Sequence, residues 1–183
     1  MAVIKHIAIH KSPLNLMKYI LRCDKTDENN LVTGLHCSPD AETAYREFER
    51  IYEKFAGQKF YRKETLGVKN DIKLHHYIQS FKPGEITPEL AHDLGVAWAR
   101  HTFGFSRQIL VAAHCDKGHI HNHFAVAVFD THGKRWIDNK QTLKKCRDDS
   151  DKLCRSYNLS VIENPSKDHN HKYGEWKARQ QKQ

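Results

Sequence analysis

Two hydrophobic periods alternate along the chain. VIKHIAIH (3–10) alternates as a strand does, although Val3, His6 and His10 share no single face. Ser12-Pro13 then reads as a helix start, with Ser12 at the N-cap. Leu16, Ile20 and Cys23 would form its buried stripe, with Tyr19 beside it. LVTGLHC (31–37) is a second strand. Ser38-Pro39-Asp40 opens a long helix with Ala44, Phe48, Ile51 and Phe55 at helical spacing and Gly57 at its end. IKLHHYIQSF (72–81) is a third strand, and Thr87-Pro88 opens a helix whose inner face is Leu90, Leu94, Ala97 and Trp98. Two apolar runs, 109–113 and 124–129, follow as a hairpin. A last helix carries Leu143, Cys146, Leu153 and Tyr157. This order predicts an α/β (α+β) fold, a five-stranded, mostly antiparallel sheet packed with helices. Residues 1–165 would be that domain, and 166–183 a charged tail or linker.

The hairpin, RQILVAAHCDKGHIHNHFAVAVF (107–129), carries the chemistry. With Lys117-Gly118 as a two-residue turn, Asp116 faces His119, Cys115 faces Ile120, His114 faces His121 and Ala112 faces His123. Opposed and alternate residues share a sheet face, so His114, Asp116, His119, His121 and His123 would all project from one side. A one-residue slip would scatter them, and the apolar runs alone do not exclude it. Three imidazoles on one rigid face make a metal site with its supporting groups alongside. The other reading, a solvent-facing turn that titrates near neutral pH, suits a lone histidine better than four in ten residues.

Charge adds a partner class. A net charge of +8 and a pI near 9.2 suit a polyanion. No run approaches the about 18 apolar residues that span a membrane, and five cysteines without a CxxC pair suit reduced thiols in a cytosol. The basic stretch QKFYRKETLGVKND (58–71) could track a nucleic-acid backbone, with Phe60 and Tyr61 as stacking rings, or be a plain solvated connector.

HCDKGHIHNHF resembles the metal-binding motif of the HUH endonucleases called relaxases, and most closely that of the P-type mobilisation family (MOBP) of Gram-positive conjugative or mobilisable elements. HHYIQSFKPGE (75–85) resembles their second motif, and YILRCDKT (19–26) the motif near their N-terminus. The resemblance covers nearly all of residues 1–165 and implies the same fold, in the N-terminal nicking part of a longer protein. It implies His114, His121 and His123 as metal ligands, Asp116 as a proton-handling or supporting carboxylate, and His119 as a neighbour. It implies Tyr19 as the nucleophile that nicks one strand at an origin of transfer, joins covalently to the 5′ phosphate and later religates it. Spacing alone does not choose among the seven tyrosines, and Tyr77 is the reserve candidate.

By the same resemblance the cofactor would be Mn2+ or Mg2+, whereas an all-imidazole donor set also suits Zn2+ or Ni2+. The partners implied are single-stranded origin-of-transfer DNA, with an adjacent hairpin, relaxosome accessory proteins and a secretion coupling protein, in a bacterial cytoplasm. Two residues depart from the family pattern: Asn122, usually hydrophobic between the paired histidines, and Ala127, where an Asn is expected. A rolling-circle replication initiator shares this chemistry but commonly carries its tyrosine after the paired histidines. Two further alternatives are a metal-stabilised DNA-binding module without catalysis and a metallohydrolase of small phosphoesters.

Overall fold

A computed structural model describes residues 2–61, 71–116 and 118–163. Nine elements follow in the predicted order: β1 (Val3–Ile9), α1 (Pro13–Ile20), β2 (Val32–Leu35), α2 (Ala41–Ala56), β3 (Leu74–Ser80), α3 (Pro88–Phe103), β4 (Arg107–His114), β5 (His121–Asp130) and α4 (Lys140–Ser156). The strands form one five-stranded sheet in the order β1-β3-β5-β4-β2, and all four pairings are antiparallel. β5 therefore lies at the centre and β1 and β2 at the edges. β4 and β5 are buried along their whole length, so one histidine-bearing strand pair forms the middle of the domain.

Each sheet face has its own core. Leu110, Ala112, Ala125 and Ala127 pack with Met17 and Ile20 of α1 and Ala44, Phe48 and Tyr52 of α2. Tyr77, Ile109, Val111, Phe124 and Val126 pack on the opposite face with Trp98, Ala99 and Phe103 of α3 and Cys146 of α4. Small alanines on the first face let α1 approach the sheet closely. Aromatic side chains fill the second face instead, where Trp98 meets Phe124 edge-on at a centroid distance of 4.7 Å.

Helix starts follow their caps unevenly. Asp40 accepts a hydrogen bond from the Thr43 amide, Thr87 accepts one from Leu90, and Asn139 forms a capping box with Thr142. Ser12 occupies the predicted N-cap of α1 but has a left-handed backbone (φ 50°) and makes no side-chain cap. α1 also ends at Ile20, so its buried stripe is Pro13, Met17 and Ile20, and Cys23 is exposed in the loop beyond. Tyr157, just past the end of α4, is exposed as well. On α3 the buried face runs through Ala91, Leu94, Trp98 and Thr102, which turns Ala97 outward. Phe60 is buried between Tyr45 and Tyr52, so it cannot stack on a base; Tyr61 is exposed. Most of the basic stretch after it, Lys117 of the predicted turn, and the tail with His169 and His171 lie outside the described residues.

Candidate metal centre

The site grows from the β4–β5 ladder. His114 pairs with His121 and Ala112 with His123, which is the predicted register, and it puts all three imidazoles on the α1 side of the sheet. The ladder stops at His114 and His121. Asp116 and His119, which the two-residue turn would have opposed, both lie outside the strands. The next backbone donors and acceptors are engaged elsewhere. The Cys115 amide donates to the carbonyl of Lys25, and the Ile120 carbonyl accepts from the Phe81 amide.

One ring nitrogen from each of His114, His121 and His123 lies within 4.8 Å of the other two, and all three residues are buried. The surroundings orient two of these rings. His114 Nε2 donates to the Ile20 carbonyl at 2.8 Å, which fixes the tautomer that carries its lone pair on Nδ1. His123 Nδ1 lies 2.8 Å from Nε2 of His76, which turns its own Nε2 toward the cluster. Both His114 Nδ1 and His123 Nε2 are shielded from solvent. His121 Nδ1 has the His119 carbonyl at 3.4 Å, a weaker contact. Three imidazoles converging from a rigid ladder, two of them oriented firmly through the second nitrogen, fit a divalent transition metal with open coordination positions.

Around this cluster the loops add charge and a hydroxyl. Tyr19, on the last turn of α1, keeps 36% of its surface exposed. Its ring lies edge-on to His114 and to His123, each at a centroid distance of 5.6 Å. Asp116 is ion-paired with Lys25, whose ammonium stands 5.4 Å from the centre of the Tyr19 ring. The Lys25 ammonium holds the Asp116 carboxyl below the usual carboxylate range, against partial burial; His114 and His121 add smaller effects in the same direction. His119 stacks near His121 with centroids 5.2 Å apart, outside the three-nitrogen cluster.

Tyr77 fails as the reserve nucleophile. It pairs with Phe124 and so points to the opposite face, fully buried, with its hydroxyl accepting from Trp136 Nε1 at 3.0 Å. Burial pushes that phenol far above its ordinary value.

Three participants escaped the sequence reading. His76 was visible only as a strand residue, and its contact with His123 depends on β3 pairing with β5, a long-range choice without a local signal. Lys25 lay in a polar loop. The Ile20 carbonyl became available because α1 ends there. Asn122 now has a reason for its departure from a hydrophobic residue. Its amide donates to Gln79 Oε1 at 3.1 Å and to the Ala91 carbonyl at 2.6 Å, clamping β5 to β3 and α3 behind the histidines. Ala127 faces Leu74 in the core, where nothing in its surroundings calls for a polar side chain.

Known proteins agree with this architecture. Residues 19–159 match the model of the relaxase family described as MobA/VirD2-like, nuclease domain. Protein rlx of Staphylococcus aureus is 35% identical over 133 residues, covering 72% of this chain and 38% of the relative. The group II intron-interrupted relaxase LtrB of Lactococcus lactis subsp. cremoris is 28% identical, covering 90% of this chain and 34% of its own length. The chain thus spans about a third of the curated relatives it matches. Among solved structures, the MobM relaxase domain (MOBV), Mn-bound and in complex with plasmid pMV158 oriT DNA, superposes with a TM-score of 0.67 at 15% identity. That alignment covers 97% of this chain and 98% of the solved MobM relaxase domain. At such identity the likeness speaks for the fold, and the neighbour's MOBV label lends no support to the P-type branch. The family match, extending over more than three quarters of the residues, carries the assignment: the chain belongs to the MobA/VirD2-like relaxases.

Proposed function

We propose that this domain nicks single-stranded origin-of-transfer DNA by attack of Tyr19 on one phosphate, beside a divalent metal held by His114, His121 and His123. The observation that carries the reading is the position of the Tyr19 ring, edge-on to two members of the imidazole trio while still exposed to solvent. A nucleophile must be near the charge-stabilising group and open to substrate at once, and Tyr19 meets both conditions.

In the reaction the Tyr19 oxygen bonds to phosphorus, and the bond from phosphorus to the 3′ oxygen breaks. The products are a 5′-phosphotyrosine and a free 3′ hydroxyl, and religation reverses the step. Bound metal would supply Lewis-acid stabilisation of the phosphate oxygens. Asp116 would receive the tyrosine proton in this reading, supported by its ion pair with Lys25, whose ammonium stands over the Tyr19 ring and would offset negative charge there. A net charge of +8 supplies general attraction to the DNA backbone. Manganese is the working metal of this proposal, by analogy with the Mn-bound MobM structure. Accessory relaxosome proteins and a secretion coupling protein would act on the whole protein.

Labelled single-stranded DNA, incubated with protein and Mn2+ and run on a denaturing gel, tests the proposal. Wild type should give a nicked strand together with a protein–DNA adduct that maps to the peptide containing Tyr19. Tyr19→Phe keeps the ring and should lose both products while retaining fold, metal and DNA binding. Cleavage that continues in Tyr19→Phe without an adduct would point to an activated water and end the relaxase chemistry proposed here.

A further inference from the structure

On the other face of the sheet, three metal-ligating side chains from distant parts of the chain converge. His6 of β1 pairs directly with Tyr77, and His75 of β3 pairs with Ala8, so both imidazoles share the Tyr77 face. His75 and His76 are neighbours in sequence and point to opposite sides, one toward each cluster. His6 Nε2 lies 3.0 Å from His75 Nδ1, and His6 Nδ1 lies 3.0 Å from Asp138 Oδ2, in the segment leading to α4. One ligand atom from each residue lies within 4.8 Å of the other two.

We propose that His6, His75 and Asp138 form a second metal site, for a borderline transition-metal dication such as Zn2+, separated by the sheet from the nicking centre. Two nitrogens 3.0 Å apart have the spacing of adjacent ligands around an ion with bonds of about 2.0–2.1 Å. Without metal, a proton bridges that gap; with metal, the ion replaces it. Burial holds both imidazoles below their ordinary range, so each offers a lone pair at neutral pH. Asp138 works the other way on His6 and contributes the negative charge that a dication needs beside Arg107 and Arg135, both of which act electrostatically on His75.

Access comes from the edge. β1 is an outer strand, His75 is buried, and the Asp138 side chain is 23% exposed. A carboxylate that reaches solvent can turn from the outer nitrogen of His6 onto an ion entering there, with water completing the coordination. The result would tie the edge strand, its neighbour β3 and the approach to α4 together, three segments otherwise joined by ordinary strand pairing and packing. The role is structural, and it does not depend on the nicking reading.

Equilibrium dialysis against Zn2+, followed by metal analysis, tests this on the folded 183-residue chain. The reference protein carries His121→Ala and His123→Ala, which dismantle the first cluster. It should retain an equivalent of Zn2+ that disappears when His6→Gln is added. Asp138→Asn, a surface change that keeps the contact with His6, should weaken the same equivalent by at least tenfold. Zn2+ should raise the melting temperature of the reference protein and have no such effect once His6→Gln is present. Circular dichroism of every variant confirms the fold. Zn2+ content and melting shifts that are the same with and without His6→Gln and Asp138→Asn would overturn the second site. That result would leave the first cluster untouched, because the ligands of the two sites are separately removed.

Discussion

His76 Nε2 sits 2.8 Å from His123 Nδ1, and the two rings stack at 20° with centroids 5.1 Å apart. Burial, helped by His6 and His114, pushes His76 down to about 4, so it is neutral near pH 7 and can accept the His123 proton. His76→Phe keeps a flat ring in the same space and removes the acceptor. Metal affinity should fall by about 10–100-fold, as it does when groups orienting a metal ligand are lost. Calorimetric Mn2+ titration of variant and wild type measures this; equal affinities would reduce His76 to packing.

The proposed ligand trio and its neighbour should separate cleanly. His121→Ala and His123→Ala should each lose bound metal and cleavage while single-stranded DNA binding persists, because phosphate contacts elsewhere carry most of the affinity. His119→Ala should be milder, since its ring lies outside the nitrogen cluster. Metal content and adduct yield on the purified variants decide the matter. A His119→Ala loss as large as that of His121→Ala would move His119 into the coordination sphere. Treating wild type with chelator should abolish cleavage, and Mn2+ should restore it.

Gly95 provides a test of the clamp behind the site. A Cβ there would stand 2.5 Å from Asn122 Nδ2 and 3.3 Å from Phe124 Cζ. Asn122 cannot retreat without breaking its bonds to Gln79 and Ala91. Gly95→Ala gains up to about 1 kcal/mol of helix propensity, yet overpacking costs about 1–3 kcal/mol. Urea denaturation should show net destabilisation, with some loss of metal affinity because β5 carries two of the proposed ligands. A stabilised variant would mean that the clamp yields easily.

Thiol reactivity should split the five cysteines into two groups. Cys23 and Cys115 are exposed. Burial pushes Cys37 and Cys146 up to about 12 and Cys154 up to about 11. Thiolate is the reactive form, and it appears only as pH rises past the thiol's own value. At pH 8 the three raised thiols are therefore almost wholly protonated, and burial also shields them. Native protein should titrate about two thiols rapidly with a disulfide reagent, and five after denaturation. Fast reaction of a third would reveal opening of a core.

The parts written in short-range pattern were legible in the sequence. The order of elements follows from the alternating periods, and the pairing of His114 with His121 and of Ala112 with His123 from centring the turn between the two apolar runs, although the ladder ends before that turn. Long-range contacts were not. Asp116 joins Lys25 because the Cys115 amide has already bonded to the Lys25 carbonyl, a contact spanning 90 residues. His76 reaches His123 only through the β3–β5 pairing. Cys23 and Tyr157 came out exposed because α1 and α4 end sooner than their apolar spacing suggests, and spacing does not say where the last turn frays.

The hydrogen bond from His114 to the Ile20 carbonyl joins the end of α1 to a member of the imidazole trio, one residue beyond Tyr19. An isolated eight-residue helix has little stability of its own, so the direction of its last turn is inherited from what it is fastened to. Rotation along a helix is about 100° per residue, and a tyrosine moved to position 18 or 20 would swing away from the cluster or into the core. Insertions or deletions between residues 13 and 20 should therefore uncouple attack from metal even when both side chains survive. Side-chain chemistry at position 19 can be exchanged on a fixed mount, and the mount itself cannot be slid. For anyone redesigning this domain, that makes the few residues of α1 the segment to leave at constant length, and the loops around it the place to make changes.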